Sequence, residues 1–264
     1  MDRRPIGVLD SGVGGLTVWK EIRSLLPNES TIYIGDSKNA PYGDRTPEEI
    51  FQLARKLITF LLKKDVKLIV IACNVITTTS LERLRNEFKG VPLVGTAPVV
   101  KKAARWTKNG KIGILSTNGT AKSLYQKHLI EQFTTGLEVV NLGTNALVPL
   151  VEQGILEGRV VEKTLEQVVK PFAKIGVDVV ALGCTHFPFL KKEIQRALGK
   201  KTTLLDSGSA VARQVERILE KNKITARKAQ ATHTVFTTGN TDMWANIMKL
   251  AKLPQATLAQ IILR

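Results

Sequence analysis

Two cysteines are the residues of this chain best suited to chemistry. Cys73 and Cys184 each follow a short apolar run with the pattern of a buried strand, at a point where we expect a helix to begin. A helix N-terminus carries unpaired backbone N–H groups and a partial positive charge. Such a position lowers the pKa of a thiol and binds carboxylates. Each cysteine is therefore a candidate acid–base group beside a docking position for an acidic substrate.

A pair of thiols facing each other across one cleft can invert a stereocentre, because one removes a proton from a carbon and the other returns a proton to the opposite face. A lone cysteine at a strand end more often only packs. The two cysteines here, however, lie at equivalent positions of a sequence repeat: residues 68–74 are echoed by 179–185, and residues 6–9 by 112–115. Chance similarity between buried strands is the alternative explanation. The repeat predicts two similar halves whose thiols meet.

Polar residues surround these positions in the sequence. Asp10 and Ser11 end the first apolar run and open a glycine loop, and His186 lies two residues beyond Cys184. A polar residue at a helix start with no catalytic role is the alternative for His186. Glu152 is a charge in an otherwise apolar stretch, and from the residues alone we interpret it as part of a solvated face. Other candidates near the strand ends are Asp36, Pro41, Tyr42, Gly43, Asn74, Thr77 and Thr185.

The predicted elements alternate between short strands and longer amphipathic helices. The strand runs are rich in Val, Ile and Leu and do not alternate with polar residues, as is typical of parallel strands covered on both faces. Between them, Thr46, Pro47 and Glu49 form the pattern of a capping box at the start of a helix. This alternation predicts an α/β fold rather than a closed eight-stranded barrel. The ten predicted strands are residues 5–10, 31–36, 67–73, 92–96, 111–116, 137–142, 178–184, 202–206, 232–238 and 258–263.

We predict two similar doubly wound domains with largely parallel sheets, related by a pseudo-twofold axis. The first comprises residues 1–96 and 208–264 and carries Cys73, whereas the second comprises residues 97–207 and carries Cys184. The junction is expected near Thr96–Pro98, and the C-terminal elements from Ser209 onward are expected to return to the first half. Ligands of open α/β sheets bind at the carboxyl ends of the strands, so the active site is expected in the cleft between the domains.

The composition excludes several classes of protein. With 264 residues, 43% of them hydrophobic and 23% charged, the chain is globular. No apolar run reaches the roughly 18 residues that a membrane span needs, and the N-terminus lacks the pattern of a signal peptide. Two cysteines are too few for a disulfide framework. We therefore expect a cytoplasmic location, free thiols and no contact with a membrane.

The net charge of +16, from 39 Lys and Arg against 23 Asp and Glu, is unusual. Because the charges are spread along the chain, we interpret them as a basic solvated surface that attracts acidic metabolites. Nucleic-acid binding is not excluded by this charge but is not predicted. Three histidines and two cysteines argue against structural zinc, and no metal site is predicted. Thr17 replaces the third glycine of a dinucleotide fingerprint after Gly12 and Gly14, so no NAD or other cofactor is predicted.

Taken together, these motifs resemble the glutamate racemases of the aspartate/glutamate racemase superfamily, bacterial enzymes that supply D-glutamate for peptidoglycan. The resemblance runs nearly from end to end of the chain. Its most specific piece is the segment from Gly183 to Pro188. The matching motifs are Asp10-Ser11-Gly12-x-Gly14-Gly15, Gly35-Asp36, Pro41-Tyr42-Gly43, Ala72-Cys73-Asn74, Val148-Pro149-Leu150-Val151-Glu152-x-Gly154, Gly183-Cys184-Thr185-His186-Phe187-Pro188 and Leu205-Asp206-Ser207-Gly208.

The resemblance implies an isomerase that needs no pyridoxal phosphate, forms a homodimer in the cytoplasm, and serves cell-wall biogenesis and cell shape. By this resemblance Cys73 deprotonates D-glutamate and Cys184 deprotonates L-glutamate. Asp10 assists the first thiol, and Glu152 and His186 assist the second. The residues implied to bind the glutamate substrate are Asp10, Ser11, Pro41, Tyr42, Gly43, Asn74, Val75, Thr185 and His186.

One departure from the family pattern concerns substrate binding. Val75 stands where the family usually has a threonine whose hydroxyl helps to hold the substrate. An unpaired donor or acceptor costs about 1–3 kcal/mol, although Thr77 or Thr78 is expected to be close enough to compensate. Residues 94–98 also depart from the acidic form that is common in the family. These differences keep two alternatives open: a racemase of another amino acid such as aspartate or of a hydantoin, and a non-catalytic paralogue that binds glutamate or nucleic acid.

Overall fold

A computed structural model describes residues 2–96, 99–226 and 230–263, and within them the chain forms ten strands and eleven α-helices. Each predicted strand is present, and its bounds differ from the prediction by at most three residues. The strands are β1 (Ile6–Asp10), β2 (Thr31–Gly35), β3 (Leu68–Ile71), β4 (Leu93–Gly95), β5 (Lys111–Ser116), β6 (Glu138–Gly143), β7 (Val179–Gly183), β8 (Thr203–Leu205), β9 (His233–Thr237) and β10 (Thr257–Gln260).

The helices lie between these strands along the chain. They are α1 (Leu16–Leu25), α2 (Pro47–Leu62), α3 (Asn74–Glu87), α4 (Val100–Trp106), α5 (Asn118–Lys122), α6 (Leu124–Phe133), α7 (Leu147–Glu152), α8 (Arg159–Ile175), α9 (Lys191–Leu198), α10 (Gly208–Lys221) and α11 (Thr241–Leu250). Short 3₁₀ turns lie at Ser37–Asn39, Tyr42–Asp44 and Phe187–Leu190. None of the helices within the described ranges has the length and apolar character needed to cross a membrane.

The strands form two sheets in which every neighbouring pair is parallel. The larger sheet has the order β10-β9-β2-β1-β3-β4, and the smaller one has the order β6-β5-β7-β8. Strands with helices on both faces are buried on both sides, which explains why the apolar runs do not alternate with polar residues. The predicted α/β fold with parallel sheets is confirmed.

The sequence repeat is also a repeat of strand order and register. The segment β2-β1-β3-β4 of the larger sheet has the same order as the whole smaller sheet, β6-β5-β7-β8. Ile6 is opposite Leu68, and the two residues that echo them, Ile112 and Val179, are also opposite each other. The turns after β3 and β7, which carry the two cysteines, therefore occupy corresponding places at the carboxyl ends of their sheets.

The larger sheet takes its strands from both ends of the chain. Residues 6–95 and 233–260 contribute to it, whereas residues 111–205 supply the smaller sheet. Helix α10 packs against α1. Strands β9 and β10, with α11 between them in the chain, form the outer part of the larger sheet. The exact domain bounds stay a prediction, and Ala97 and Pro98 of the expected junction lie outside the described residues.

The start of α2 has the predicted capping box. The hydroxyl of Thr46 accepts a hydrogen bond from the backbone N–H of Glu49 at 3.3 Å, and the Glu49 carboxylate accepts one from the N–H of Thr46 at 2.9 Å. Pro47 occupies the first turn, where its missing N–H has no intrahelical partner to lose. The buried residues of α2 recur at helical spacing, so that one face packs into the core. These residues are Ile50, Phe51, Ala54, Leu57, Ile58 and Leu61.

A buried tryptophan pairs with a hydroxyl at the amino end of the larger sheet. The Trp19 indole N–H donates to Thr31 Oγ1 at 2.8 Å, and Thr31 Oγ1 lies 2.9 Å from His233 Nδ1. Thr31 begins β2, whereas Cys73 lies beyond the end of the parallel strand β3. The Trp19–Thr31 hydrogen bond therefore stabilises the sheet at the amino ends of its strands, opposite to the end that carries Cys73.

The chain continues differently after each of the two cysteines. Cys73 directly precedes α3, as predicted. After Cys184 the chain turns at residues 184–186, forms the 3₁₀ turn Phe187–Leu190, and begins α9 only at Lys191. The prediction that a helix starts directly after Cys184 was wrong, because the side chains of Thr185 and His186 bond to carboxylates elsewhere in the fold. Such tertiary bonds outweigh the weak intrinsic preference of a short segment for helix.

Gly35 ends β2 at a point where the larger sheet has no room for a side chain. A Cβ built there would lie 2.6 Å from the carbonyl oxygen of Gly12 and would overlap the ring of Trp244. We predict that Gly35→Ala lowers the free energy of unfolding, measured in urea, by about 3 kcal/mol. The added methyl group would be overpacked against backbone atoms, which cannot move away without a large cost in energy. Gly90→Ala is the matched control, since nothing lies within 4 Å of a Cβ there. Equal stabilities for the two variants would contradict the prediction.

Candidate active site

Both thiols line one cavity at the carboxyl ends of the two sheets. Its position is where open parallel sheets bind ligands. Both cysteines are free and almost fully buried. The lining residues are Ser11, Pro41, Tyr42, Gly43, Cys73, Asn74, Val75, Thr117, Val148, Cys184, Thr185 and His186.

All the candidate substrate-binding residues except Asp10 line this cavity. Asp10 is fully buried and makes its hydrogen bonds behind the wall, and Glu152 lies behind His186. The predicted roles of these residues stay predictions, but the structure brings the residues together. Thr117 and Val148 line the cavity and were not predicted. The repeat contained a signal for Thr117, because it lies just after β5 as Ser11 lies just after β1.

The Cys73 thiol is linked to a carboxylate through a hydroxyl. Cys73 Sγ lies 3.6 Å from Ser11 Oγ, and the Ser11 hydroxyl lies 3.4 Å from Asp10 Oδ1. Asp10 Oδ1 also accepts a hydrogen bond from the backbone N–H of Gly12 at 3.0 Å. The arrangement provides a path along which a proton can pass between the thiol and a buried carboxyl group.

Burial controls the ionisation of this first thiol. It raises the pKa of Cys73 to about 12, and the neighbouring charge of Asp10 adds to the rise. The prediction that a helix N-terminus lowers the pKa was wrong for Cys73, because loss of solvation outweighs the bond to the Ile76 N–H. Burial also raises the pKa of Asp10 to about 6, against the opposing effects of His186 and the Gly12 N–H. At neutral pH Cys73 is therefore a thiol.

The Cys184 thiol has an imidazole as its partner. Cys184 Sγ lies 3.8 Å from His186 Nδ1, and His186 Nε2 lies 2.6 Å from Glu152 Oε1. Burial disfavours the charged imidazole, but the hydrogen bonds to Cys184 and Glu152 outweigh it and raise the pKa of His186 well above its usual value. The histidine can thus hold a proton between the thiol and the carboxylate.

Glu152 is bonded to His186 and does not belong to a solvated face, so our interpretation from the residues alone was wrong. Its side chain is only 15% exposed. It accepts hydrogen bonds from the backbone N–H of Val13 at 2.8 Å and from the Ser37 hydroxyl at 2.6 Å. Burial works to raise the pKa of Glu152, but its bonds with His186, Ser37 and Val13 hold that pKa below the ordinary value. These donors come from distant parts of the chain, which a local apolar pattern cannot reveal.

The glycine loop allows the two sheets to approach each other closely. A Cβ at Gly12 would lie 2.6 Å from Glu152 Cδ, and one at Gly14 would lie 2.5 Å from Thr185 Oγ1. The Thr185 hydroxyl donates to Asp10 Oδ2 at 3.1 Å, so the loop sits between groups that bond across the cleft. The loop therefore serves close backbone packing at the site.

The side-chain amide of Asn74 is an unused donor beside the cavity. Its Nδ2 atom is buried and has no hydrogen-bond partner among residues 2–96, 99–226 and 230–263. Buried polar groups are usually paired, and an unpaired one marks a place that a ligand can satisfy. Within the same described ranges, no three His, Cys, Asp or Glu side chains cluster as metal ligands would.

Val75 presents a hydrocarbon surface to the cavity. The two hydroxyls that were expected to compensate for it are bonded to the backbone: Thr77 Oγ1 lies 3.4 Å from the Ile71 oxygen, and Thr78 Oγ1 lies 3.2 Å from the Val75 oxygen. Neither threonine lines the cavity. The expected compensation by these two hydroxyls is therefore not present.

Comparison with known proteins gives consistent matches over nearly the whole chain. A family model described as Asp/Glu/Hydantoin racemase matches residues 6–215. The chain is 37% identical to the glutamate racemase of Clostridium botulinum over 93% of its own length and 96% of the relative. It is similar to Escherichia coli glutamate racemase in complex with L-glutamate and an activator, at 35% identity and a TM-score of 0.87, covering 99% of both chains. It is also similar to the Francisella tularensis glutamate racemase in complex with D-glutamate, at 28% identity and a TM-score of 0.86, covering 100% of this chain and 99% of the other.

The raised pKa of His186 predicts how stability depends on pH. The folded protein holds this proton more tightly than the unfolded chain, in which the histidine pKa is about 6.5. The stabilisation is therefore complete below about pH 6.5 and is lost as the pH rises toward the folded pKa. We expect the free energy of unfolding, measured in urea, to fall by up to about 1.4 kcal/mol per pH unit in that range.

Removing the carboxylate partner tests this assignment. Glu152→Gln takes away one of the groups that raise the pKa of His186, so its stability should depend less steeply on pH above about 6.5. His128→Gln changes an exposed histidine on α6 and should keep the slope of the unmodified protein. An unchanged slope in Glu152→Gln would show that the pair does not bind the extra proton.

Proposed function

Because the chain belongs to the Asp/Glu/Hydantoin racemase family and, within it, to the glutamate racemases, we propose that it interconverts L-glutamate and D-glutamate with Cys73 and Cys184 as its two acid–base groups. Family membership makes the chain an isomerase. The observation that carries the two-thiol mechanism is that both sulfurs line one small cavity. The complexes of two similar enzymes with L-glutamate and with D-glutamate support the choice of substrate.

The reaction consists of two proton transfers on opposite faces of the α-carbon. Starting from L-glutamate, the Cys184 thiolate takes the α-proton, so that a C–H bond breaks and an S–H bond forms. The Cys73 thiol then gives its proton to the other face of the carbanion and is left as a thiolate. The product is D-glutamate, and the reverse reaction exchanges the roles of the two sulfurs. No electron leaves the substrate, so the atoms balance without an oxidant or a reductant.

Neighbouring groups return each thiol to its starting state. His186 Nδ1 takes the proton of the Cys184 thiol, Glu152 stabilises the imidazolium that results, and the imidazolium then loses this proton to the solvent. Asp10 exchanges a proton with Cys73 through the Ser11 hydroxyl. Acid–base groups typically contribute only about 10²–10⁴-fold. The remaining stabilisation of the carbanion must come from fixed donors aimed at the substrate, such as the free amide of Asn74.

The same proposal extends to the wider role of the protein. D-Glutamate made here would supply peptidoglycan synthesis and so affect cell shape, in a cytoplasmic enzyme that acts as a homodimer. The substrate would be held by the residues that line the cavity together with Asp10, in a cleft between domains of residues 1–96 with 208–264 and residues 97–207. The net charge of +16 would attract the anionic substrate toward this cleft.

Replacing either cysteine separates racemisation from proton exchange. We expect Cys73→Ser and Cys184→Ser each to lower the rate of glutamate racemisation, followed by polarimetry, by at least about 10³-fold. In deuterated water, Cys73→Ser should still introduce deuterium into L-glutamate without inversion, because Cys184 can remove the α-proton, exchange it with the solvent and return a deuteron to the same face. Cys184→Ser should do the same with D-glutamate, and NMR detects the label in both cases.

A matched control distinguishes chemistry from folding. Ser80→Ala removes a buried hydroxyl on α3, the helix directly after Cys73, and Ser80 does not line the cavity. It should keep the rate of the unmodified protein. Full racemisation by both cysteine variants would rule out the two-thiol mechanism.

Val75→Thr tests whether the missing hydroxyl limits substrate binding. The two side chains are close in shape, and the new hydroxyl can pair with a polar group of the substrate. We expect the KM for glutamate to fall by about 5- to 10-fold, in line with the cost of an unpaired polar group. The measurement is steady-state kinetics with glutamate and, separately, with aspartate. Val148→Thr adds a hydroxyl to another part of the wall, and equal effects of both substitutions would deny position 75 a special role.

A further inference from the structure

A hydrogen-bonded chain of side chains extends from the Cys184 thiol to a tryptophan on another element. The Trp244 indole N–H lies 3.1 Å from Ser37 Oγ, and Ser37 Oγ lies 2.6 Å from Glu152 Oε2. The other carboxylate oxygen of Glu152 contacts His186, which in turn contacts Cys184. Ser37 lies just after β2 of the larger sheet and Trp244 lies on α11, between β9 and β10 of that sheet in the chain, whereas Cys184 lies just after a strand of the smaller sheet.

The chemistry of these groups gives the chain a single direction. An indole N–H can only donate, so the Ser37 oxygen accepts from Trp244. The one hydrogen of the Ser37 hydroxyl is then directed to Glu152. An ionised carboxylate can only accept, so His186 Nε2 must carry a hydrogen and donate it. Nδ1 of His186 is left as the nitrogen that exchanges a proton with the Cys184 sulfur.

Ser37 holds the oxygen of Glu152 that faces away from the histidine. Among the described residues, Glu152 Oε2 has no hydrogen-bond donor other than Ser37, whereas Oε1 accepts from both Val13 and His186. Trp244 is 1% exposed, and its ring packs 5.8 Å from that of Tyr33 between centroids. The indole therefore has little freedom to move and keeps the Ser37 hydroxyl pointed at the carboxylate.

We infer that Ser37 and Trp244 are positioning residues for the Cys184 half of the reaction, which they orient through Glu152 and His186. The inference rests on the proposed function, because it concerns how one of the two proposed thiols exchanges its proton. Neither residue touches the cavity. They act on the reaction only by keeping His186 Nε2 protonated and its ring turned toward the sulfur.

Removing the Ser37 hydroxyl tests this role in the kinetics. Ser37→Ala should lower kcat by about 10- to 100-fold, the cost of a hydrogen bond to a charged group, and leave KM nearly unchanged. The pH below which kcat/KM falls should move upward, because Glu152 loses a donor to its charged form. Trp244→Phe replaces the indole by a smaller aromatic ring without the N–H, and should shift the low-pH limit of kcat/KM in the same direction by less. Ser37→Thr keeps the hydroxyl and should restore the profile.

The chain offers a matched control at the other end of the sheet. Thr31→Val removes a hydroxyl that accepts from the only other buried indole bonded in this way among the described residues, that of Trp19. It should lower the free energy of unfolding as Ser37→Ala does, without moving the pH below which kcat/KM falls. A shift of equal size in Thr31→Val would show that the effect comes from a general loss of stability.

An NMR comparison tests the inference without turnover. The chain has three histidines, so the ¹⁵N signals of His186 can be assigned with His128→Gln and His233→Gln. In the ligand-free protein, Ser37→Ala should change the chemical shift of His186 Nε2, whereas Thr31→Val should change that of His233 instead. If the unmodified protein does not racemise glutamate, the proposed function fails, whereas this comparison still decides whether Ser37 orients His186 through Glu152. An unmoved His186 signal together with unchanged kcat in Ser37→Ala would overturn it.

Discussion

Two carboxylates, one fully buried and one largely buried, each need a partner from the other half of the fold, and these bonds hold the site together. Asp10, at the end of β1, accepts a hydrogen bond from Thr185 beyond β7, and Glu152, at the end of α7, accepts one from the Val13 N–H in the glycine loop. Burying an ionised carboxylate is costly unless its oxygens are hydrogen-bonded. Neither group can be fully paired if the sheets separate, so the same bonds that satisfy the charges enclose the cavity between Cys73 and Cys184.

Burial also sets the acid–base chemistry of the Cys73 thiol. A thiol whose pKa is raised to about 12, as for Cys73, is rarely ionised, but its thiolate is a stronger base than that of an exposed cysteine. A weakly acidic α-proton requires that strength. Because Asp10, with a pKa raised only to about 6, is a much weaker base than this thiolate, it cannot hold the proton of Cys73 in the ligand-free protein. In the proposed reaction, the charges of the bound substrate must make up the difference between the pKa values of Cys73 and Asp10. Ionisation of the thiol is thereby coupled to substrate binding.

Local patterns predicted the framework better than the network inside it. The ten strands, the capping box at Thr46 and the place of Cys73 could be predicted from apolar runs and spacing, because strand burial and helix capping depend on neighbouring residues. The environment of Cys184, the pKa of Cys73 and the location of Glu152 could not be predicted in this way. Each depends on groups that are distant in the chain, and Glu152 entered the candidate site only through a family resemblance. Ser37 and Trp244 carried no local signal, since a serine after a strand and a tryptophan on a helix are ordinary.

The two halves repeat their strand order but not their proton chemistry. Cys73 reaches a carboxyl group through the hydroxyl of Ser11, whereas Cys184 reaches one through the imidazole of His186. Enantiomers have equal energies in water, so a racemase needs no net bias between its two half-reactions. A protein of L-residues, however, cannot present mirror-image surroundings to the two enantiomers. In the proposed reaction, each sulfur therefore needs its own adjustment for the face of the carbon that it serves. A repeated fold supplies two equivalent positions for the thiols, and different neighbours at each position supply the separate adjustment.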